Sequence, residues 1–520
     1  MSEMRETTLV AALMRDPERL AFRVGSHSVR RGELAGAAVG MAVRLHELGL
    51  KRGDAVCLWL PDGGAWLQVL IACAHAGITV VPISTRYRVS EAEHVLRTSR
   101  AKAVFVVKDF LKTDYVGMIE EVRADLPDLE NVLEISASEL FWPVPDGMTS
   151  SHAAGIQSDP LCTFTTSGTT SRPKLALHDQ GSIVAHAHNV AERFNIKPGD
   201  TMLCALPMYG VIGFSAAMAA LMGGASCSFL PVFNAKDAAN IIERDGVTHL
   251  YASDGLIDRV LEVEDADLSS WREGGFAEFA ALGESITKRA ESRWGVRLVS
   301  VYGSSECLAF TAMRSSTDET RDRVPIGGRP VTDSIEFRVI DLDTGAPAAS
   351  GQAGELQIRG YNVMSGYLNN PEATAKAFTE DGWYHTGDCA TTQESEFTFM
   401  ARLGDALRMR GYLVDPADIE TSLLAHPAVD AAQVVGVKRT GEGDVAVAFV
   451  VGQANAVTEE DLLAFCRSRM ANYKVPSRAV FIDSFPSVDG PNGTKILRTE
   501  LRTLAETLVP IAKEYADETR

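Results

Sequence analysis

Residues 164–178 read FTTSGTTSRPKLALH, a stretch in which hydroxyl side chains surround Gly168 and precede two cationic residues, Arg172 and Lys174. This composition is typical of a loop that holds an anion, because backbone N–H groups, hydroxyls and an ammonium can all face negative oxygens. Gly168 and Lys174 have the spacing of a P-loop, but Pro173 stands where that loop needs glycine. The stretch therefore predicts an anion-binding loop of another kind, with a solvated turn as the alternative.

The composition describes a large acidic protein. The chain has 520 residues, 46% of them hydrophobic and 23% charged, and this length exceeds what one hydrophobic core usually supports, so two or more domains are expected. The formal net charge of −19 argues against a general binder of nucleic acid or anionic membranes, because phosphate contacts need a basic surface. A local pocket can still oppose the global charge and hold a small polyphosphate.

The cysteines and the first residues bear on the compartment. Eight cysteines are scattered without a C-x-x-C pair, which favours neither a zinc site nor a disulfide framework. The start, MSEMRETTLVAAL, has charges among its apolar residues and lacks the apolar core of a secretory signal. A cytoplasmic location is therefore expected.

Residues 201–235 contain no charged side chain, and a run of that length can cross a bilayer. Pro207, Pro231 and the pair Gly223-Gly224 interrupt it. We interpret the run as strand, loop, buried helix and strand, and expect no membrane span.

Strand and helix patterns alternate along the first part of the chain. Residues 55–60, 78–83 and 101–107 are short apolar strands, and residues 65–77 and 88–99 have helical patterns. Alternation with short connections predicts βαβ units and a parallel sheet. Residues 142–155 are predicted to form a loop or subdomain junction because they are rich in Pro, Gly and Ser.

The pattern changes in the last third. Residues 334–360 indicate a β-hairpin region, and the last hundred or so residues mix short strands with helices. We expect an α/β protein with a large N-terminal domain, residues 1–402, built from doubly wound α/β subdomains and a β-rich subdomain. A small mobile α+β C-terminal domain, residues 403–520, is expected to follow.

Further polar segments follow the opening stretch in a fixed order. They are ALGESI (281–286), YGSSE (302–306), GELQIRGYNVMSGYLNNPEAT (354–374), DGWYHTGD (381–388), ARLGDALRMRGYLVDPADIE (401–420), and NYKVPSRAVFIDSFP with NGTKILRTEL (472–501). YGSSE alone is weak, because a turn after a strand explains it equally well. The ordered set resembles the AMP-forming acyl-CoA synthetases, the adenylate-forming ligases, from about residue 20 to 510.

The resemblance implies where ATP and Mg²⁺ bind. Residues implied to contact ATP or AMP are Thr165, Ser167, Gly168, Thr169, Thr170, Lys174, Gly283, Glu284, Tyr302, Gly303, Ser305, Asp388 and Arg402. Tyr302 would stack on adenine, Ser305 would bond the α-phosphate, and Glu306 would hold Mg²⁺. One carboxylate plus substrate phosphates is an arrangement that Mg²⁺ favours. Asp388 would accept bonds from both ribose hydroxyls, and Arg402 would contact ribose and phosphate.

The resemblance also implies a two-step reaction. In the first step a carboxylate attacks ATP to give acyl-AMP. The catalytic residues implied for this step are Lys495, Lys174 and Glu306. The C-terminal domain then rotates about a hinge at Gly404, and Gly411 and Tyr412 line the tunnel for coenzyme A. The substrate pocket is expected at Tyr209, Gly210, Phe214, Leu308 and Ala309.

Several positions depart from the family pattern. Ser171 and Leu175 stand where the phosphate loop usually has glycine, and glycine supports close phosphate approach better. Gly404 stands where the hinge usually has Asp or Lys, and Thr494 precedes Lys495 where glycine is usual. Residues 251–255, YASDG, differ from the usual segment near the acyl pocket. Gly210 leaves the pocket without its usual histidine, so the expected acid is bulky and cyclic.

These departures leave three alternatives open. The main expectation is a full carboxylate–CoA ligase. One alternative is an enzyme that mainly converts preformed acyl-AMP and CoA, and another is a stand-alone adenylating enzyme that loads a carrier protein. A non-catalytic nucleotide-binding relative is disfavoured because the cationic residues are kept. The partners are a small carboxylic acid and CoA, with no nucleic acid, and a homodimer is the expected assembly because dimers are the commonest oligomers.

Overall fold

The chain is described by a computed structural model covering residues 8–108, 110–142, 154–166, 173–279, 282–409, 412–439, 443–453, 457–470, 474–490 and 493–509. It divides into two compact units. The first comprises Met1–Glu336, Ile358–Tyr384 and Pro491–Gly493, and the second comprises Phe337–Gln357, His385–Gly490 and Thr494–Arg520.

Helices occur in both units. They are α1 (Leu9–Met14), α2 (Arg31–Glu47), α3 (Gly64–Ala76), α4 (Val89–Ser99), α5 (Tyr115–Glu121), α6 (Gln180–Arg193), α7 (Val211–Gly223), α8 (Ala235–Asp245), α9 (Asp254–Leu261), α10 (Gly283–Trp294), α11 (Thr320–Arg323), α12 (Pro371–Ala377), α13 (Pro416–Leu424), α14 (Glu459–Arg469) and α15 (Arg498–Leu508).

The strands are mostly short. They are β1 (Leu20–Val24), β2 (His27–Arg30), β3 (Ala55–Trp59), β4 (Thr79–Pro82), β5 (Ala103–Lys108), β6 (Asn131–Ser136), β7 (Pro160–Thr165), β8 (Leu175–Asp179), β9 (Thr201–Cys204), β10 (Ser226–Phe229), β11 (His249–Ser253), β12 (Glu273–Ala277), β13 (Arg297–Tyr302), β14 (Ala312–Met313), β15 (Gly327–Pro330), β16 (Ile335–Ile340), β17 (Gly354–Gly360), β18 (Gly366–Tyr367), β19 (Tyr384–Gln393), β20 (Glu396–Arg402), β21 (Leu407–Met409), β22 (Tyr412–Val414), β23 (Val429–Arg439), β24 (Gly443–Gly452), β25 (Arg478–Phe481), β26 (Ser487–Gly490) and β27 (Gly493–Ile496).

One sheet of the first unit has the strand order β18-β8-β7-β4-β3-β5-β6. The pairs from β7 to β6 are parallel, whereas β8 is antiparallel to both β7 and β18. The parallel strands are almost wholly apolar because helices cover both faces of such sheets. Strand β3, for example, is buried at every position.

A second sheet of this unit has the order β15-β14-β13-β12-β11-β9-β10-β1-β2. Its centre, β13 to β1, is parallel, and the pairs at its ends are antiparallel. Helices α3 and α7 are apolar on nearly every side and buried along most of their length. A helix without a polar face must lie inside a protein, and α7 packs on α6, as α3 packs on α2.

The second unit contains most of the neighbouring strands β16, β17, β19 and β20. It also contains the sheet β22-β21-β24-β23, with β25 parallel to β24, and most of the two-stranded sheet β26-β27. Burial alternates along β23, since Val434 packs with Ile419 of α13 while Val435 packs with Leu501 of α15. This alternation follows from the twofold period of a strand, and it lets helices cover both faces of the sheet.

The α/β class, with a larger N-terminal part and a smaller C-terminal part, is confirmed. The strands predicted at 55–60, 78–83 and 101–107 and the helices predicted at 65–77 and 88–99 are all present. The predicted loop at 142–155 falls mostly outside the described residues. The domain boundary at residue 402 and the mobility of the C-terminal domain stay predictions.

The interpretation of residues 201–235 is also confirmed. The run forms β9, a loop, the buried helix α7 and β10. In the described part of the chain, every helix is too short or too polar to span a membrane. All eight cysteines are buried and free.

Replacement of Gly213 by alanine should destabilise the first unit. A Cβ at this position of α7 would overlap the carbonyl oxygens of Leu206 and Pro207, so we expect the free energy of unfolding to fall by about 1–3 kcal/mol. Gly36 is the matched control, because it lies within α2 with no atom within 4 Å of an added Cβ. Gly36→Ala should be neutral or stabilising by about 0.5–1 kcal/mol. Urea unfolding of both variants measures the difference, and equal values would contradict the expected overlap.

Candidate active site

The neighbouring strands β7 and β8, strand β18 and the loop after β13 meet at one end of the first sheet. Thr165 ends β7 and pairs with Leu175 of β8, and Tyr367 of β18 pairs with Ala176 on the other edge of β8. The loop that follows β13 joins them, since Ser305 Oγ donates to the carbonyl oxygen of Thr165 at 3.0 Å. The start of the quoted stretch and the YGSSE segment therefore lie side by side.

Lys174 is held at the base of the phosphate-loop segment. The N–H of Thr166 donates to the Lys174 carbonyl at 2.9 Å, and the N–H of Lys174 faces Thr166 Oγ1 at 3.4 Å. The two ends of the segment 167–172 are thereby joined. The ammonium of Lys174 lies 4.2 Å from the centre of the Tyr367 ring, a cation–π distance.

Glu306 lies on the other side of Tyr367. The tyrosine hydroxyl donates to Glu306 Oε1 at 3.1 Å, and the Glu306 carbonyl accepts from the N–H of Met364 at 2.7 Å. Burial raises the pKa of Tyr367, and the nearby negative charge of Glu306 raises it further. The hydroxyl therefore stays protonated and remains a donor.

The loop after β13 is fixed through its backbone carbonyls. His178 Nε2 donates to the Ser305 carbonyl at 2.8 Å, and His186 Nε2 donates to the Ala309 carbonyl at 2.6 Å. Asn362 Nδ2 donates to the Cys307 carbonyl at 2.6 Å. Burial lowers the pKa of both histidines to about 4, so each ring is neutral at neutral pH.

This loop also contains strained backbone. Leu308 and Phe310 have φ values of 56° and 65°, in a left-handed region that costs energy for side chains of this size. The turn is tight, since a Cβ on Gly303 would lie 2.7 Å from the Leu308 carbonyl. Thr311 Oγ1 donates within the turn, 2.9 Å from the carbonyls of Cys307 and Leu308. The carbonyl bonds thus hold a conformation that the side chains alone would disfavour.

Of the predicted substrate-pocket residues, Tyr209, Phe214, Leu308 and Ala309 are buried in this unit, and Gly210 is partly exposed. Tyr302, the residue predicted to stack on adenine, is 5% exposed. Phe214 of α7 lies 5.0 Å from the ring of Phe164, next to Thr165. Gly210 precedes α7 with φ −100° and ψ 142°, a conformation open to any residue.

A buried carboxylate near Tyr209 was missed by the sequence reasoning. Asp62 Oδ1 accepts from the N–H of Met208 at 2.9 Å, and burial raises its pKa to about 7. Burial also raises the pKa of Tyr209, whose hydroxyl interacts with Ser84. The surroundings of Tyr209 therefore contain two polar side chains, Asp62 and Ser84, that the sequence did not point to as candidates.

Two further carboxylates, those of Asp254 and Glu278, accept hydrogen bonds from backbone N–H groups of residues shortly before and at the start of α10. Asp254 Oδ1 and Oδ2 accept from the N–H groups of Phe279 and Leu282 at 3.1 and 3.0 Å, and Glu278 Oε1 accepts from Gly283 N–H at 3.1 Å. Burial raises the pKa of Glu278 to about 7. Glu284 itself points to the surface of α10, where its carboxylate pairs with Lys288.

The remaining predicted residues belong to the second unit. Asp388 and Arg402 face each other across β19 and β20, with 2.9 Å between Asp388 Oδ1 and Arg402 Nη1. The Asp388 side chain is buried. The carbonyl of Gly404 accepts from Arg502 at 3.0 Å. The ion pair connects Arg402 to Asp388, and the bond from Arg502 connects Gly404 to α15. Both contacts lie within the second unit.

Several predicted residues lie outside the described part. They are Ser167, Gly168, Thr169, Thr170, Ser171 and Gly411, together with the side chains of Tyr412 and Lys495. Their roles stay predictions, as do the ligand roles of the described residues.

Sequence reasoning missed Tyr367, His178, His186 and Asn362. His178 gave a signal, because it ends the quoted stretch on an apolar strand. Tyr367 gave one too, since it lies in the segment 354–374 that was singled out for its pattern. Their contacts are long-range and have no counterpart in sequence spacing.

Comparison with known proteins gives a consistent result over nearly the whole chain. The family model for AMP-binding enzymes matches residues 9–368, and the model for their C-terminal domain matches residues 418–489. The human mitochondrial medium-chain acyl-CoA ligase ACSF2 is 30% identical, with 96% of this chain and 87% of that protein covered. The 3-[(3aS,4S,7aS)-7a-methyl-1,5-dioxo-octahydro-1H-inden-4-yl]propanoyl:CoA ligase of Rhodococcus jostii is 31% identical, covering 89% of this chain and 91% of that protein.

Solved structures share the fold. ATP-bound MatB from Rhodopseudomonas palustris has a TM-score of 0.83 at 23% identity, covering 97% of this chain and 99% of that one. The anthranilate CoA ligase AuaEII with anthranoyl-AMP has a TM-score of 0.82 at 22% identity, with 97% and 98% covered.

His186 should make stability depend on pH. Its pKa is near 6.5 when unfolded and is lowered by burial to about 4. Between these values only the unfolded state binds the proton, so the folded state loses stability as the pH falls from 6.5 to 4. His186→Gln keeps an N–H donor for Ala309 without the titration. Relative to the wild type, its free energy of unfolding should rise by up to about 1.4 kcal/mol per pH unit of acidification. Urea titrations from pH 7.5 to 4.5 measure this, and a constant difference would contradict it.

Proposed function

The chain belongs to the family of AMP-binding enzymes and is an acyl-CoA ligase, and from this premise we propose how its residues carry the reaction. In the first step a carboxylate oxygen of the acid attacks the α-phosphorus of ATP. The bond from that phosphorus to the bridging oxygen breaks, and pyrophosphate leaves. In the second step the sulfur of coenzyme A attacks the acyl carbon, and AMP leaves.

The observation that carries this proposal is the contact of Tyr367 with both Lys174 and Glu306, in a loop where the neighbouring Ser305 bonds the carbonyl of Thr165. It joins a cation, a hydroxyl and a carboxylate beside the carboxyl ends of the parallel-paired strands β7 and β13, and α/β proteins usually bind ligands at such strand ends. Lys174 supplies a positive charge to the phosphates, and Ser305 would turn its hydroxyl from the Thr165 carbonyl to donate to the α-phosphate. Phosphoryl transfer depends chiefly on such positioning and charge neutralisation.

Glu306 fits a Mg²⁺ ion that arrives with ATP. It offers hard carboxylate oxygens on a loop fixed by its own carbonyls, and one carboxylate plus substrate phosphates is a usual set for this ion. When bound, Mg²⁺ neutralises phosphate charge. Glu306 Oε1 is engaged by Tyr367, and we assign Oε2 to the metal.

The second unit supplies the remaining groups in this proposal. Asp388 accepts bonds from the ribose hydroxyls, and its ion pair with Arg402 would orient the carboxylate. Lys495 bonds the acid and the α-phosphate during the first step. Gly404 is the hinge about which Lys495 exchanges with Gly411 and Tyr412, which line the path of CoA. A homodimer and a cytoplasmic location stay predictions.

Carboxylate-dependent ATP–pyrophosphate exchange tests the first step. We expect robust exchange by the wild type and a loss of about 100-fold in Glu306→Gln, because preorganised charge is a large part of such catalysis. Glu372→Gln is the control, since Glu372 is an exposed carboxylate on α12, and it should retain exchange within about twofold.

Other outcomes separate the alternatives. Absent exchange, with acyl-CoA still made from supplied acyl-AMP and CoA, would identify the enzyme that lacks an efficient first step. Exchange with transfer to a holo-carrier protein but not to CoA would identify a carrier-loading enzyme.

We propose a bulky cyclic acid as the substrate. Gly210, the residue before α7, has no side chain, and at a candidate pocket position this would leave space for a ring. The Rhodococcus relative is named for a bicyclic propanoate, and this chain is 31% identical to it. The ACSF2 relatives are named for medium-chain acids, so a medium-chain acid is the second candidate.

Gly210→Phe should distinguish these acids. Its backbone accepts a side chain, and the ring would occupy the space assigned to a cyclic acid. We expect kcat/KM for a bicyclic propanoate to fall at least about tenfold, while that for octanoate changes by less than about threefold. Gly210→Ala is the control and should change both little. Exclusive use of acetate or propionate by the wild type would refute the assignment.

A further inference from the structure

Tyr367 lies between the two charged side chains of the site. Its ring centre is 4.2 Å from the Lys174 ammonium, and its hydroxyl donates to Glu306 Oε1 at 3.1 Å. One side chain thus contacts a cation through its face and an anion through its edge. None of the roles assigned to Lys174 and Glu306 includes this residue.

The backbone of Tyr367 is fixed relative to Lys174. Tyr367 pairs with Ala176 of β8, and the next residue, Leu368, donates its N–H to the Leu175 carbonyl at 2.8 Å. The N–H of Tyr367 itself donates to Thr374 Oγ1 at 2.9 Å. The ring therefore has a rigid base that belongs to the same strand pair as the lysine.

Packing explains the burial of the ring but not the direction of its hydroxyl. Tyr367 is 7% exposed and packs in a small apolar cluster with Ala176, Met364 and Tyr384. A purely structural residue at this position needs only an apolar ring. The hydroxyl instead meets a carboxylate, and bonds to ionised groups are stronger and more directional than neutral ones.

We propose that Tyr367 is a positioning residue that couples Lys174 to Glu306 in the binding of MgATP; this proposal rests on the proposed function. The hydroxyl fixes Glu306 Oε1, which would leave Oε2 to hold a metal ion that is bound with ATP. The face of the ring keeps the ammonium of Lys174 near the site until phosphate oxygens replace it as the partner. The two contacts have separate consequences, one for the metal and one for the phosphates.

Two substitutions separate these consequences. Tyr367→Phe keeps the ring face for Lys174 and removes the bond to Glu306, whereas Tyr367→Leu removes both. Tyr115→Phe is the matched control, because Tyr115 is a buried tyrosine whose hydroxyl donates to a backbone carbonyl, that of Thr85, at 3.0 Å. It should lose stability in the same way as Tyr367→Phe without any effect on the metal.

Calorimetry measures the binding of a non-hydrolysable ATP analogue with and without Mg²⁺. Electron paramagnetic resonance measures the binding of Mn²⁺. The rate of ATP–pyrophosphate exchange is the third measurement. For Tyr367→Phe we expect the metal concentration at half-saturation to rise about tenfold, with metal-free analogue binding changed by less than about twofold. For Tyr367→Leu we expect analogue binding without metal to weaken as well, by about threefold. Thermal unfolding checks that each variant is folded.

The outcomes distinguish the possible failures. If Tyr367→Phe and Tyr115→Phe both lower the melting temperature and neither changes metal dependence, Tyr367 is structural and the inference is overturned. If the wild type does not bind the analogue at all, the proposed function fails instead. If Tyr367→Leu matches Tyr367→Phe in every measurement, the ring face has no role and the coupling is wrong.

Discussion

Strand β8 is hydrogen-bonded on one edge to β7 and on the other to β18, and the site depends on this double pairing. The pairing with β7 closes the ends of the phosphate-loop segment. The pairing with β18 places Tyr367 opposite Ala176, where its ring contacts the ammonium of Lys174. His178, near the end of β8, donates to the Ser305 carbonyl and so connects the same strand to the loop after β13. One strand of five residues thereby fixes three segments that carry polar groups.

The charge of the site is local. The chain has a net charge of −19, yet the groups around Tyr367 are one cation, one anion and neutral donors. The buried histidines are neutral and hold backbone carbonyls without the cost of burying an unpaired charge. Their low pKa values follow from burial. Burial also raises the pKa of Asp62 and Glu278 to about 7. Burial therefore favours the neutral form of both the buried histidines and the buried carboxyl groups.

Strands and helices of the first unit were predictable because their signals are local. Apolar runs with short connections indicated β3, β4 and β5, and the uncharged run at 201–235 was correctly divided by its prolines and glycines. Of the site, the order of short segments identified Lys174, Ser305 and Glu306 as candidates. Asp254 and Glu278 were not found, because a carboxylate that accepts backbone N–H bonds can lie anywhere in sequence. Leu308 and Phe310 were not recognised as strained, since nothing in their residue types indicates a positive φ.

By itself, the sequence determined the α/β class, the family and the residues whose functional groups suit phosphate and carboxylate chemistry, because these depend on residue type and on short-range order. Only the tertiary structure decided that Tyr367 stands between Lys174 and Glu306, and that His178 and His186 hold the carbonyls of the intervening loop. These contacts join residues more than sixty positions apart, and those of the histidines act through backbone oxygens that every residue has. Because every residue has a backbone carbonyl, the residue type at the accepting position does not indicate such a bond. Only the folded structure shows it.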